Sequence, residues 1–434
     1  MKKAKALQKI ITPFLVIFII VCATVLIIFY GRGYRLDLKQ KSVGVKGLLV
    51  TNSQPNGAQV FINSKLTTAT NATLTLDPGW YQVRLEKEGY SSWEKNLRIQ
   101  GEVVAKTDAI LFPINPSLSP LTITGVANPK LSPDNTKIVF SVSKSNTKVQ
   151  NAIDGGGIFI LDLSDKPLGA TRNTRQIARD TPLLSFSNAT LSWDPESKKV
   201  LAEVDNRYFL LDTDSLNTSP LEVTSMMKTL ADEWVKTENT LEKERLKSLK
   251  KELAEILQQS TSIISWSPDE TKILYEATAS ATIPQIVKPA LIGTNPTKEE
   301  RTIKPDQIYV YDIKEDKNFF IMEKKKIPTP TPSPVELSRR KVGIPTSDAL
   351  VGGASGKIET SPLIWFPTSS HLLLTEEGKI SIMDYDATNK ITLYAGPFIG
   401  DLIAPWPNGS KIVILTSLNP QPDAEPNLYA INIR

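Results

Sequence analysis

The sequence predicts a mainly β protein with an N-terminal transmembrane helix, a small β-sandwich, and a β-propeller of five visible blades carrying a helical insertion. Three observations predict it. A turn followed by a short apolar strand recurs five times between Leu131 and Val413. Residues 46–113 hold a separate run of short strands and turns. A stretch of 21 residues without a charge, Ile10 to Tyr30, follows a lysine-rich start.

The chain opens on a basic tail, residues 1–9, with Lys2, Lys3, Lys5 and Lys9. Residues 10–30 are long enough to cross a hydrocarbon core about 30 Å thick. Pro13 lies in the first turn, where a helix tolerates it. A cleaved signal peptide is the competing reading. It calls for a shorter apolar core and a small-residue cleavage site, whereas this run ends Leu26-Ile27-Ile28-Phe29-Tyr30-Gly31-Arg32. Cys22 follows Val21, where a lipoprotein cysteine wants a small residue, so it reads as an apolar membrane residue. Arg32, Arg35, Lys39 and Lys41 balance the tail's lysines across the span. The positive-inside count therefore leaves the orientation open.

In residues 46–113, Gly47 to Asn52 reads as a strand, and Pro55-Asn56-Gly57-Ala58 as a turn. Gln59 to Asn63 alternates, Asp77-Pro78-Gly79 turns, and Trp80 to Leu85 alternates again. Trp93 to Ile99 is a further strand. This pattern resembles the PEGA module, a small β-sandwich of surface proteins. Pro55-x-Gly57-Ala58, Leu76-x-Pro78-Gly79-x-Tyr81-x-Val83 and Gly89-Tyr90-x-x-Trp93 carry the likeness. Asn56 stands where the name-giving Glu belongs, and the usual Gly and Thr-Pro near 64–70 are missing. The glycines supply positive φ and the aromatics supply core, so these positions read as structural.

From residue 120 the repeat takes over. Its fullest copy is Ser265-Trp266-Ser267-Pro268-Asp269-Glu270-Thr271-Lys272-Ile273-Leu274-Tyr275. The others centre on Pro133, Pro195, Pro367 and Pro407. Proline fixes φ for a type I turn, and a short polar residue follows it. A β-branched strand apolar on both faces comes next, as for a strand packed between two sheets. A second strand then ends on Asp162, Asp212, Asp312, Asp384 or Asn432. With a strand before each turn and another after, each unit holds four antiparallel strands, which is a propeller blade. The last unit stops at Arg434, and Leu121-Thr122-Ile123-Thr124 supplies its missing final strand, closing the ring. The Ser-Pro-Asp-x-Thr-Lys-Ile turn and the Asp-ended strand resemble TolB-like propeller repeats over residues 120–434. Several copies depart from the pattern: Glu196, Thr368 and Asn408 replace Asp, and His371 replaces Lys.

Two insertions interrupt the propeller. In residues 219–259, Leu246, Leu249, Leu253, Ile256 and Leu257 share one helical face. Ser219-Pro220-Leu221-Glu222 fits either a capping box or a blade strand. A helix or helical hairpin lying on its own propeller competes here with a partner-docking arm. Residues 323–361 contain Pro328, Pro330, Pro332 and Pro334 and read as a disordered, polyproline-like surface loop. Their glycines, Gly352, Gly353 and Gly356, add flexibility.

Chemistry is hard to find. Net charge is +5, so nucleic acid is not an expected partner. One Cys and one His exclude a disulfide framework within the chain, multi-cysteine zinc and histidine clusters. Propellers of this type also precede serine peptidases, yet no Gly-x-Ser-x-Gly elbow is present, and Gly353-Ala354-Ser355-Gly356 has the wrong spacing. His371 fills a lysine slot and reads as a surface residue. Asp162 with Asp165, Asp212 with Asp214, and Asp384 with Asp386 sit at strand ends, where turns favour Asp without any calcium. No catalytic, cofactor-binding or metal-binding residue is assigned, and no cofactor is expected. The reading is a non-catalytic protein anchored in the plasma membrane, N-terminus cytoplasmic and bulk extracytoplasmic. Its partners are the bilayer, through residues 10–30, and a protein or cell-envelope polymer bound by the propeller. A structural envelope spacer is one alternative, and a divergent enzyme with a site in the propeller channel is another.

Overall fold

The computed structural model describes residues 15–28, 34–37, 42–143, 155–164, 174–324, 362–399, 402–418 and 425–434. Residues 15–28 form helix α1 and are exposed throughout. These fourteen residues rise about 21 Å. Among the described residues no helix is long and apolar enough to cross a membrane. Residues 10–14 and 29–30 of the expected span, and the basic tail, lie outside the described residues. Strands Tyr34–Asp37 and Ser42–Val45 pair antiparallel after α1. The chain divides into two compact units: Met1–Ile114 with Val287–Lys298, and Asn115–Ile286 with Glu299–Arg434.

In the smaller unit two sheets face each other. One is three-stranded, with Gly47–Gln54 between Ala72–Leu76 and Val104–Ile110, the last pairing being parallel. The other is four-stranded, in the order Lys65–Ala69, Gln59–Ile62, Gly79–Glu86, Trp93–Ile99. Alternation decides which side chains are covered. Val83 and Leu85 of one strand and Trp93, Leu97 and Ile99 of the next point inward with Leu49, Val60 and Ala109. The strand Lys65–Ala69 was hidden in the sequence because its residues are nearly all exposed. It is set by Asn63 and Ser64, both left-handed at φ 49° and 66°, as a two-residue hairpin turn demands.

The larger unit contains five four-stranded antiparallel sheets. Blade 1 runs Ala127–Leu131, Lys137–Val142, Gly157–Asp162, Thr174–Arg179; blades 2 to 4 follow in chain order. Blade 5 is Ile403–Pro405, Lys411–Thr416, Asn427–Asn432 and, from the start of the unit, Ser117–Pro120. The apolar doublets of the repeat split between two cores. In blade 1, Val139, Ile158 and Ile160 join residues of blade 2. Their neighbours Ile138, Phe140, Phe159 and Leu161 join Ala404, Trp406 and Val413 of blade 5. A strand apolar on both faces is what two flanking blades require.

One expectation needs correction, and one open reading is decided. The ring is closed by Ser117–Pro120, not by Leu121–Thr124. This strand is an outer one with a single neighbour, so it carries no buried alternation to reveal it. Leu221–Glu222 is a strand, paired with Leu210 and Phe209, and not a helix cap. The helices begin later, as α2 (Met227–Lys247) and α3 (Lys251–Ser260). The interval from Pro268 to Pro367 holds, among the described residues, only a two-stranded ribbon, Ala281–Thr282 with Thr302–Ile303, and no further four-stranded sheet. Residues 325–361 of the expected Pro-rich loop lie outside the described residues.

Candidate binding face of the propeller

The two ends of the propeller differ in kind. At one end lie the five repeat turns. Each closes with a backbone bond across four residues, such as Asn135 N to Ser132 O at 2.9 Å and Glu270 N to Ser267 O at 2.8 Å. The residue two after each proline is left-handed: Asn135, Ser197, Glu270, Ser369 and Gly409. Ser132 accepts the backbone N–H groups of Thr136 and Lys137, Ser267 those of Thr271 and Lys272, and Asp194 those of Lys198 and Lys199. These side chains satisfy donors that a tight turn would orphan.

The turns also staple neighbouring blades. Ser197 Oγ of blade 2 accepts the Asp134 N–H of blade 1 at 3.1 Å. Ser369 Oγ of blade 4 accepts the Asp269 N–H of blade 3 at 3.0 Å. In blade 5 the equivalent residue is Gly409. A Cβ there would lie 3.2 Å from the Phe366 ring of blade 4, a close contact at a left-handed φ of 69°, and both favour glycine. Register brings the basic slot of every turn opposite the acidic end of the third strand: Lys137 with Asp162, Lys199 with Asp212, Lys272 with Asp312, His371 with Asp384, Lys411 with Asn432. Lys272 Nζ stands 3.6 Å from Asp312 and 4.8 Å from the Tyr385 ring centre of blade 4. Lys411 faces the amide Asn432 and lies over the Trp406 ring at 5.1 Å.

His371 is therefore not a surface residue. It is 4% exposed, with Nε2 3.5 Å from Asp384 and Nδ1 2.9 Å from Thr368 Oγ1. Its slot is interior in blade 4, as it is in blade 3, where Lys272 and Asp312 are buried together, whereas Lys199 and Asp212 of blade 2 are exposed; a single sequence does not display that difference. The acidic pairs at strand ends also have local employment. Asp212 accepts the Asp214 N–H, Asp162 pairs with Arg175, and Asp384 and Asp386 share Thr388. Asp165 lies outside the described residues, as does Gly353 to Gly356. Among the described residues no three His, Cys, Asp or Glu side chains gather with metal-holding geometry.

Carboxyl pKa values follow the same logic. Burial alone would raise Asp269, but hydrogen bonds from Ser267 and Thr271 and the Lys272 charge outweigh it and hold the group at about 2. Asp134 is lowered in the same way, its burial outweighed by Ser132 and Thr136. The hydrogen bond from Arg207 lowers Glu222. None of these three is an acid raised toward neutrality of the kind general acid catalysis uses.

The opposite end carries the long connections. Segments 223–260 and 278–306, which are fully described, leave and re-enter sheets there. Blades 2 and 4 turn at this end in two residues, Asp205-Asn206 and Glu377-Gly378. Blade 3 bears both of the long connections that are fully described. Leu253 and Leu257 of α3, with Ile283 and Ile303, cover Ile273, Tyr275, Tyr309 and Tyr311 on one of its faces. Asp316 pins the second excursion, accepting Ile286 N–H at 2.7 Å and Tyr311 O–H at 2.8 Å, with Arg301 alongside at 3.3 Å. Helix α2 joins this core only through Leu246 of its final turn. Leu230 and Trp234 are half-buried, and Leu241 is exposed.

One domain of the smaller unit has a family match. Residues 46–112 match the PEGA domain. Among curated proteins, none matches the chain. Solved structures similar to it include a putative TolB from Agrobacterium tumefaciens, 12% identical, covering 70% of this chain and 78% of that one, with a TM-score of 0.20. TolB from Acinetobacter baumannii is 11% identical over 81% of this chain and 59% of its own, at a TM-score of 0.21. An oligogalacturonate lyase in complex with manganese is 11% identical over 74% and 93%, at 0.24. The PEGA domain's Pro78-Gly79 motif opens the strand Gly79–Glu86, and its Trp93 is buried in the sandwich core.

Proposed function

We propose that this chain is a non-catalytic, single-pass protein of the plasma membrane, N-terminus cytoplasmic and bulk extracytoplasmic, whose propeller binds a protein or cell-envelope polymer. The observation that carries the binding half is that the two long connections fully described, 223–260 and 278–306, lie at the same end of the propeller. Insertions gathered on one face of a repeat array are where such arrays bind. At the other end, turns of blades 1 and 2 and of blades 3 and 4 are hydrogen-bonded to each other. The anchor half rests on the charge-free residues 10–30, which include α1, and on the PEGA domain that follows.

One set of variants tests both halves. Cys22 is the only cysteine, so Lys236→Cys in a Cys22→Ser background gives a single reporter on exposed α2. A membrane-impermeant maleimide labels it in intact cells if the bulk lies outside; labelling only after lysis defeats that topology. For binding, crosslinking in intact cells is compared between Leu230→Ala/Trp234→Ala at the insertion end and Glu196→Ala at the turn end. Loss of adducts in the first variant alone supports the insertion face. Equal yields in both leave the propeller acting as a spacer.

A further inference from the structure

A feature of the PEGA domain carries an inference that does not depend on the reading above. Trp80 is 59% exposed. Outside α1 it is the only aromatic side chain among the described residues that is exposed and not half-buried or buried. Its strand places it directly opposite Arg98. The two side chains border a shallow groove of about 520 Å³, together with Pro78, Gly79, Gln100 and Gly101.

Three features make this groove unlike ordinary surface. Arg98 forms no ion pair among the described residues, whereas Arg84, on the same sheet face, holds Glu86 at 2.9 Å and lies over the Phe61 ring at 4.8 Å. Gly79 is not needed for backbone reasons. Its φ is not left-handed, and a Cβ there would meet Tyr81 at an ordinary 3.6 Å. A glycine where the fold accepts a side chain leaves the groove open beside the indole. Last, an exposed tryptophan is rare because its large apolar face gains so much from burial.

We infer that the Trp80–Arg98 groove binds an acidic polysaccharide, one sugar ring stacked on the indole and its carboxylate or phosphate paired with Arg98. A sugar's C–H face carries slight positive charge and packs on the negative face of an indole. A guanidinium offers a planar donor fork that matches a carboxylate or phosphate. Gln100 supplies an amide for hydroxyl groups. A lipid surface fits less well. Attraction to an anionic membrane accumulates over clusters of basic residues, so a single arginine is a weak dock.

The full chain in detergent is titrated with polygalacturonate, with polyglycerol phosphate, with neutral dextran, and with vesicles of one part phosphatidylglycerol to three parts phosphatidylethanolamine. Calorimetry and Trp fluorescence report binding. Binding of one or both acidic polymers, and at least tenfold weaker binding of dextran, is expected; which acidic polymer binds separates carboxylate from phosphate. Trp80→Ala and Arg98→Gln each weaken it at least tenfold, and Trp80→Phe keeps most of it. Lys106→Gln, an exposed cation on the other sheet, leaves it unchanged. Thermal melting checks that the variants fold, which substitution of exposed side chains favours. Equal binding of dextran, binding to vesicles alone, binding to none of the four, or loss in Lys106→Gln equal to that in Arg98→Gln overturns the inference.

Discussion

Ser369 shows how one side chain can carry a joint. It is buried, left-handed, and its Oγ receives the Asp269 N–H of the neighbouring blade. Ser369→Ala strands that donor, and urea unfolding should register a loss of about 1–3 kcal/mol. Ser369→Gly relieves the positive φ yet strands the same donor, so it should not recover the loss. Asp269 adds a pH dependence. Its folded pKa of about 2 lies below the unfolded value of about 3.9. The stabilisation is therefore present above pH 4 and is lost as pH falls through 2. In Asp269→Asn the drop in melting temperature between pH 4 and pH 2 should be shallower than in the parent; an unchanged slope would assign the acid sensitivity to other groups. The turn residues were legible in the sequence, because proline, a short polar residue and a basic slot recur in order. Their partners were not. Ser197 and Ser369 reach across blades, and pattern within a repeat carries no information about contact between repeats. His371 was misplaced for that reason.

At the scale of elements, α2 and α3 should part company. Leu253 and Leu257 of α3 are fully packed on blade 3, so either one changed to Ala should cost about 2–5 kcal/mol. Trp234 and Leu241 of α2 are half-buried and exposed. Leu241→Ala should stay within about 0.5 kcal/mol of the parent. Hydrogen exchange gives the same contrast without mutation: amides of the first four turns of α2 should exchange well before those of α3. Equal protection along both helices would mean that α2 has a partner surface of its own. The sequence located this helical region through the spacing of Leu246, Leu249, Leu253 and Leu257. It left the start open between a cap and a strand, because Leu221 and Glu222 belong to a two-residue outer strand too short to show periodicity. The closing strand Ser117–Pro120 escaped for a related reason: an outer strand needs hydrogen bonds more than apolar side chains.

Across the whole ring, closure is a single seam. Asn427 Oδ1 accepts Thr122 Oγ1 and Gly125 N–H, each at 3.0 Å. Thr122 Oγ1 in turn accepts Leu428 N–H at 2.9 Å. Asn432 reaches Ser117 and Ser119 from the other end of the same strand. These bonds join residues about three hundred positions apart, so they form only once the chain has travelled round the ring. Such a contact constrains the unfolded chain little and the folded ring greatly. Asn427→Ala and Thr122→Val should each cost about 1–3 kcal/mol. Because they share one hydrogen bond, the double variant should fall short of the sum by about 0.5–3 kcal/mol. A ring with a weakened seam also has a free sheet edge, and blades 5 and 1 can then open ahead of the rest. The urea transition of the double variant should broaden, its slope falling below the parent's, while Ser369→Ala shifts the midpoint at constant slope. If both variants moved the midpoint alone, the seam would be one joint among five, and the ring's cooperativity would reside in the cores between blades.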